Sequence, residues 1–239
     1  MKVLFSFFVF ILSTVLNAQI QDAQLWTSAA LKTDITDDLT VGYEMCTRFN
    51  KNVTSLDNYY NELGAEYSII KGLGVGIDYR FSKKNKENYF ETVHRFCFNA
   101  SYGYKFDDLG LKVKFRARYQ IPFNRLGVVN ENIYPDTKNT LRFKLSLDYV
   151  PVNFKMFQPF MSFEIYKGVK PVNIYNAIDS YRFAIGATLD LPKRHSVDLY
   201  YMLEKEYRAA QYLNHIWGIQ YNYELFKDPI FEKAKAKSE

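Results

Sequence analysis

Arg116 and Arg118 stand two residues apart in the stretch 111–121, and Lys112 and Lys114 share their parity. In an extended strand, alternate residues point the same way, so these four cations share one face. Leu111, Val113, Phe115, Ala117, Tyr119 and Ile121 form the other. A guanidinium is a planar fork that fits carboxylates, phosphates and other oxyanions. The same polar parity in other segments carries Arg48, Glu62, Arg80, Arg95, Arg142, Glu164, Arg182, Glu204 and Glu206. Two chemistries suit such a set. A basic wall facing Glu44, Glu62, Glu66 and Glu204 across a narrow pore would select small anions or zwitterions. Alternatively, Arg–carboxylate forks meet in the middle and close the space as a polar core. Narrow barrels are usually filled, which favours the second.

Catalytic chemistry has thinner support. The available bases are His94, His195 and His215, and all three fall on the apolar parity. A lipid-facing hydrolase would need a nucleophile and a base placed together. His215 could neighbour Thr47, but no serine falls at its level on either adjoining strand. No catalytic residue is assigned, and the reading leans away from an enzyme. Cys46 and Cys97 share the inward parity three strands apart, about 15 Å along a sheet wall. That exceeds the reach of a disulfide, so two free thiols are expected. The acidic run Asp34–Asp38 reads as turn chemistry and not as a calcium site. There is no Cys-x-x-Cys, His-x-x-x-His or glycine-rich phosphate loop, and neither metal nor cofactor is expected.

The elements that must position these residues are strands. Period-two alternation recurs through 39–50, 58–70, 72–82, 90–106, 111–121, 137–149, 157–166, 180–190, 195–206 and 213–225. That makes ten, none with helical period. Leu25–Lys32 is a candidate eleventh, whose hairpin at Asp34–Asp38 falls on the short-turn rim. Tight joins at 71–72, 107–110, 150–153 and 191–194 alternate with longer ones at 51–57, 83–89, 122–136, 167–179 and 207–212. Short turns at one rim and long loops at the other are the up-and-down pattern of a transmembrane barrel. The expected fold is therefore an all-β, up-and-down antiparallel transmembrane β-barrel of ten to twelve strands. The loops Pro122–Asp136 and Lys167–Asp179 are candidates to cap its mouth.

Alternation alone does not say which face is outside. A lipocalin-like soluble barrel buries its apolar face, and a membrane barrel exposes it. The polar parity is rich in small residues, among them Gly42, Gly64, Gly74, Gly76, Ser101, Gly103, Gly186 and Gly218, which suits a crowded lumen. Tyr43, Phe49, Tyr67, Tyr79, Phe81, Tyr102, Tyr104, Tyr119, Tyr149, Tyr181, Tyr221 and Tyr223 gather near strand ends, as interfacial aromatics do. The strands also reach the ten or so residues that a tilted span requires. Apolar face out, charged face in, is the expectation.

The N-terminus has a basic Lys2, an apolar run Val3–Leu12 and a small Ala18, the pattern of a secretory signal cleaved after Ala18. The expected division is signal peptide 1–18, barrel 19–226 and polar tail 227–239. A net charge of +5 on an exported chain argues against nucleic-acid binding. Ile216, Gly218, Tyr221 and Tyr223 resemble the C-terminal signature read by barrel assembly machinery.

Trp26, Arg48, Glu62, Tyr67, Tyr79-Arg80, His94-Arg95-Phe96, Arg116-x-Arg118-x-Gln120, Leu141-Arg142 and Arg182, in this order and spacing, resemble the domain-of-unknown-function family DUF2490 over about residues 22 to 225. These are secreted proteins of Gram-negative, chiefly Bacteroidota-like, bacteria. The resemblance implies an outer-membrane barrel and no established activity. Outer-membrane lipid, the assembly machinery and a small anionic or zwitterionic solute are the expected partners. A structural barrel or narrow channel is the first expectation. A lipid-modifying hydrolase and a periplasmic lipid-binding barrel are the alternatives.

Overall fold

Tight reversals set the register of each hairpin. At residues 71–72 the chain turns through Gly72, whose φ of 89° lies in the left-handed region that glycine enters at no steric cost. A side chain there would also strike the carbonyl oxygen of Gly103 on the next strand. Gly110, at φ 62°, turns the chain again after a short 3-10 turn at Asp107–Leu109. Lys193 and Arg194 adopt positive φ in the reversal that follows Leu191.

The structure, a computed structural model, describes residues 20–86, 88–125, 139–151, 156–169, 178–207 and 211–225. The expected leader at 1–18, the tail at 227–239 and most of the two expected capping loops lie outside the described residues. Eleven strands follow one another: β1 (Ile20–Asp34), β2 (Leu39–Asn50), β3 (Ser55–Ile70), β4 (Leu73–Asn85), β5 (Phe90–Phe106), β6 (Leu111–Arg125), β7 (Thr140–Tyr149), β8 (Phe157–Gly168), β9 (Ser180–Leu191), β10 (His195–Tyr207) and β11 (Gln211–Glu224). Each pairs antiparallel with its sequence neighbours, and β1 closes the barrel against β11.

That closure is parallel, running from Ile20 opposite Tyr212 to Lys32 opposite Glu224. The odd count requires it: in an up-and-down chain of eleven strands the first and last point the same way. Closure leaves no open sheet edge, so the backbone groups of every strand have ladder partners on both sides. The segment 25–32 is thus a full wall strand. His215 and Thr47 are consequently not on adjoining strands. β1 stands between them, with Ala23 opposite His215.

The apolar parity faces out. Phe98, Phe115, Ile185 and Trp217 remain between 45 and 50% exposed. Arg80, Arg118, Arg142, Glu164 and Glu204 are buried inside. The protein's charges therefore fill its interior and its aromatic and aliphatic side chains clothe its exterior. Tyr221 and Tyr223 point outward with Trp217, while Ile216 and Gly218 point inward on the opposite parity. The four residues of the C-terminal signature therefore do not share a face.

Candidate functional site

Inward parity brings the predicted charges to one region of the lumen, and carboxylates meet them there. Arg80 Nε donates to Glu62 Oε2 at 2.6 Å, between neighbours β4 and β3. Arg142 forks onto Glu164, with Nη2 at 2.9 and 2.8 Å from its two oxygens. Arg116 reaches the same carboxylate at 3.3 Å from two strands away. Arg182 Nε donates to Glu204 at 2.7 Å. Arg118 reaches over β5 to Asp78 at 2.7 Å and lies 3.9 Å from Glu62 on β3. Nearer the short-turn rim, Lys114 on β6 lies 3.6 Å from Glu66 on β3, which also accepts from Ser101 Oγ at 2.8 Å. The basic and acidic walls do not stay apart; their charges pair across the lumen, as in the second of the two arrangements weighed from the sequence.

Aromatic rings complete the arrangement. Arg48 lies over the Trp26 ring at 3.7 Å from its centroid and over Tyr60 at 5.1 Å. Arg80 covers the other side of the series, 3.7 Å from the Tyr60 centroid. Arg182 lies 5.1 Å from Trp26 and 4.5 Å from Tyr166, and Arg142 lies 4.4 Å from Tyr166. The order Arg80, Tyr60, Arg48, Trp26, Arg182, Tyr166, Arg142 thus alternates cation and ring around the interior. Arg118, directly opposite Arg142 on the β6–β7 ladder, joins the ends through Glu62 and Arg80. Tyr166 donates to Glu164 at 3.0 Å and accepts from Arg182 Nη1; Tyr60 donates to Glu44 at 2.8 Å. Each desolvated cation–π contact contributes about 2 kcal/mol.

A cavity of about 760 Å³ opens toward the short turns, one of about 420 Å³ lies at mid-height, and one of about 720 Å³ opens toward the long loops. Trp26, Arg48, Tyr60, Arg80, Arg142 and Arg182 line both the middle and the loop-side cavities, so the belt lies where the two meet. Arg95 belongs to the loop-side cavity and Arg116 to the middle one. Glu206 lines the loop-side cavity beside Asn214, which donates to it at 3.3 Å.

One wall of the lumen is apolar. Trp26, Ala184, Met202 and the fully buried Ile216 cluster there, with Tyr200 against them. Both cross-strand partners of Tyr200 are glycines, Gly186 on β9 and Gly218 on β11. A Cβ at Gly218 would meet the Tyr200 ring itself. The ring lies over the bare backbone of Gly218, so Gly218→Val has to displace it. The expected cost is about 1–3 kcal/mol, the usual penalty of overpacking. Urea unfolding in detergent micelles followed by tryptophan fluorescence checks this; an unchanged midpoint would mean that the ring moves aside freely.

The three histidines face outward, each bonded through Nδ1 to a tyrosine hydroxyl on a neighbouring strand: His94 to Tyr79 at 2.7 Å, His195 to Tyr221 at 2.5 Å and His215 to Tyr201 at 2.6 Å. No seryl or threonyl hydroxyl bonds to them among the described residues. Cys46 and Cys97 are free and buried, and Gln120 Nε2 lies 3.5 Å from Cys97 Sγ.

A closed, up-and-down barrel of eleven strands with an ion-paired, aromatic-stacked interior is the class that the fold and the site define. The chain belongs to the family described as "Protein of unknown function (DUF2490)", whose profile matches residues 23–214. No curated protein matches it significantly. Among solved structures, the chain is similar to the crystallised beta domain of the Bordetella autotransporter BrkA, with a TM-score of 0.44 and 12% identity, over 75% of this chain and 78% of that one.

Proposed function

We propose that the protein is an integral outer-membrane β-barrel of a Gram-negative bacterium whose lumen is closed at the belt, a structural barrel and not an open conduit. The observation that carries this reading is the belt: cations and rings alternate around the interior, and their carboxylates are engaged within it. An interior wetted by a continuous water column would leave these side chains solvated and apart; here Glu164 and Arg142 are buried. The outward face supports membrane residence. It exposes large apolar side chains over most of the wall and carries tyrosines toward both rims, as a lipid-facing surface does. The same inversion argues against a periplasmic lipid-binding barrel, which would keep its apolar face inside. The leader pattern at 1–18 would deliver such a chain to the periplasm, where assembly machinery inserts it.

The test is conductance of the refolded barrel in a planar bilayer, with a heat-dependent shift in gel migration as proof of folding. A folded, inserted protein that gives no stable steps is the expected result. Reproducible steps from the wild type would overturn the closed lumen. Recovery of the protein in the soluble periplasmic fraction, and not in washed outer membranes, would overturn the placement.

A further inference from the structure

Within the belt and just above it, two arginines, Arg48 and Arg95, have no anion among the described residues. Arg95 on β5 stands directly opposite Arg80 on β4. Cross-strand neighbours of like charge are destabilising, and only Arg80 of this pair has a carboxylate, Glu62. Arg95 has no hydrogen bond or ion pair among the described residues. Arg48, held between Trp26 and Tyr60, has its Nε buried with no acceptor. Both line the loop-side cavity, beside Arg142.

The four carboxylates that face this cavity are engaged elsewhere. Asp22 accepts from the backbone N–H of Asn52 at 2.9 Å and from Gln24 at 3.0 Å. Asp57 accepts from the side chains of Asn50 and Asn58. Glu204 binds Arg182 and Glu206 accepts from Asn214. A buried guanidinium N–H without an acceptor costs free energy, more than a neutral donor does. Arg48 Nε is such a group; with the half-buried Arg95 beside it in the loop-side vestibule, and Arg80 and Arg142 adding to the field, the set is complementary to an oxyanion that presents several oxygens at once.

We propose that the loop-side vestibule is a binding site for a phosphate-type oxyanion, free or carried on a small solute, held by Arg48 and Arg95 on the floor formed by the belt. The inference deepens the closed-barrel reading and rests on it: the belt stops the ion, and the two spare arginines retain it.

The experiment is titration calorimetry of the full refolded chain in detergent micelles, with inorganic phosphate in one arm and glucose 1-phosphate in the other. The heat shift confirms folding of every variant, and the bilayer measurement reports separately on whether the lumen is closed. Saturable binding in either arm is expected, weakened at least tenfold by Arg95→Gln and by Arg48→Gln. Equal affinities would identify the free ion as sufficient; tighter binding of the sugar phosphate would add the vestibule walls to the site. Lys32→Gln, on the wall of the turn-side cavity, should bind as the wild type does. A folded wild type that shows no saturable heat, or Arg95→Gln and Arg48→Gln variants that bind as well as it, would overturn the site. So would a Lys32→Gln variant weakened as much as they are.

Discussion

Glu164→Gln should destabilise the folded barrel by about 3–5 kcal/mol, the cost of removing one partner from a buried ion pair. Glu164 is the carboxylate on which the β6–β8 wall depends. It takes both forks of Arg142, a third contact from Arg116 and the hydroxyl of Tyr166. Glutamine keeps the shape and one acceptor but removes the charge, leaving two guanidinium groups facing each other with no counter-charge. Arg116 Nε already lacks an acceptor, so it has no alternative to turn to. Denaturant unfolding from lipid vesicles measures the change. Asp107→Asn is the comparison: its partner Lys105, at the end of β5, lies 2.7 Å away, but both side chains are largely exposed, and a solvent-screened pair of this kind adds little to stability. The double variant Arg142→Met/Glu164→Met should recover part of the loss, because it removes one of the two guanidinium groups left without a counter-charge and leaves only Arg116 unpaired. A Glu164→Gln variant within 1 kcal/mol of wild type, on the scale of an exposed pair, would mean that water reaches this carboxylate and that the belt is not closed.

The strands were legible because alternation is a physical requirement of a two-sided wall. Residues 90–106 and 111–121 show it without a break, and the structure has strands there. The segment 25–32 was readable as a strand with its hairpin on the correct rim. Its partner was not readable. Period two says that a strand has two faces; it says nothing about which strand lies beside it. Only the parity of the complete count forces the parallel seam, and a count left between ten and twelve cannot supply that. The mistaken adjacency of His215 and Thr47 follows from the same gap.

The site divides in a similar way. Parity and level placed Arg48, Glu62, Arg80, Arg118, Arg142, Glu164, Arg182 and Glu204 inside the barrel, where the structure has them. It did not weigh the rings. Trp26, Tyr60, Tyr166 and Tyr200 share the inward parity with these charges, and large aromatics on a polar face are the signal that could have revealed them. Sequence spacing also fixes only where a side chain leaves the wall. How far it crosses depends on its length and rotamers, so a basic wall and an acidic wall could not be told from a paired belt. Arg118 illustrates this: its Cα lies opposite Arg142, yet its charge is spent on Asp78 two strands away in the other direction.

A chain lacking residues 20–34 should fail to form a heat-modifiable barrel. Without β1, ten strands remain, an even number, and β2 could in principle pair with β11 in the ordinary antiparallel way. Two consequences oppose it. First, losing a strand removes roughly 5 Å of hydrogen-bonded circumference. At the level of the belt the interior already holds four arginines and their rings, so a tighter wall crowds them, and overpacking costs about 1–3 kcal/mol at even a single site. Second, Trp26 leaves with β1. Arg48 then loses its nearest ring and Arg182 one of two, while Ile216 and Met202 lose the partner they pack against. β2 and β11 would remain as open edges, which favour aggregation. Trp26→Leu separates the two effects. It keeps the seam from Ile20 to Lys32 and removes only the ring, so it should fold and still shift on heating, with a loss of stability below the roughly 3–5 kcal/mol of a full Trp→Ala truncation. If the truncated chain folded, shifted on heating and matched wild-type stability, the parallel seam would be dispensable and the belt would not set the size of the barrel.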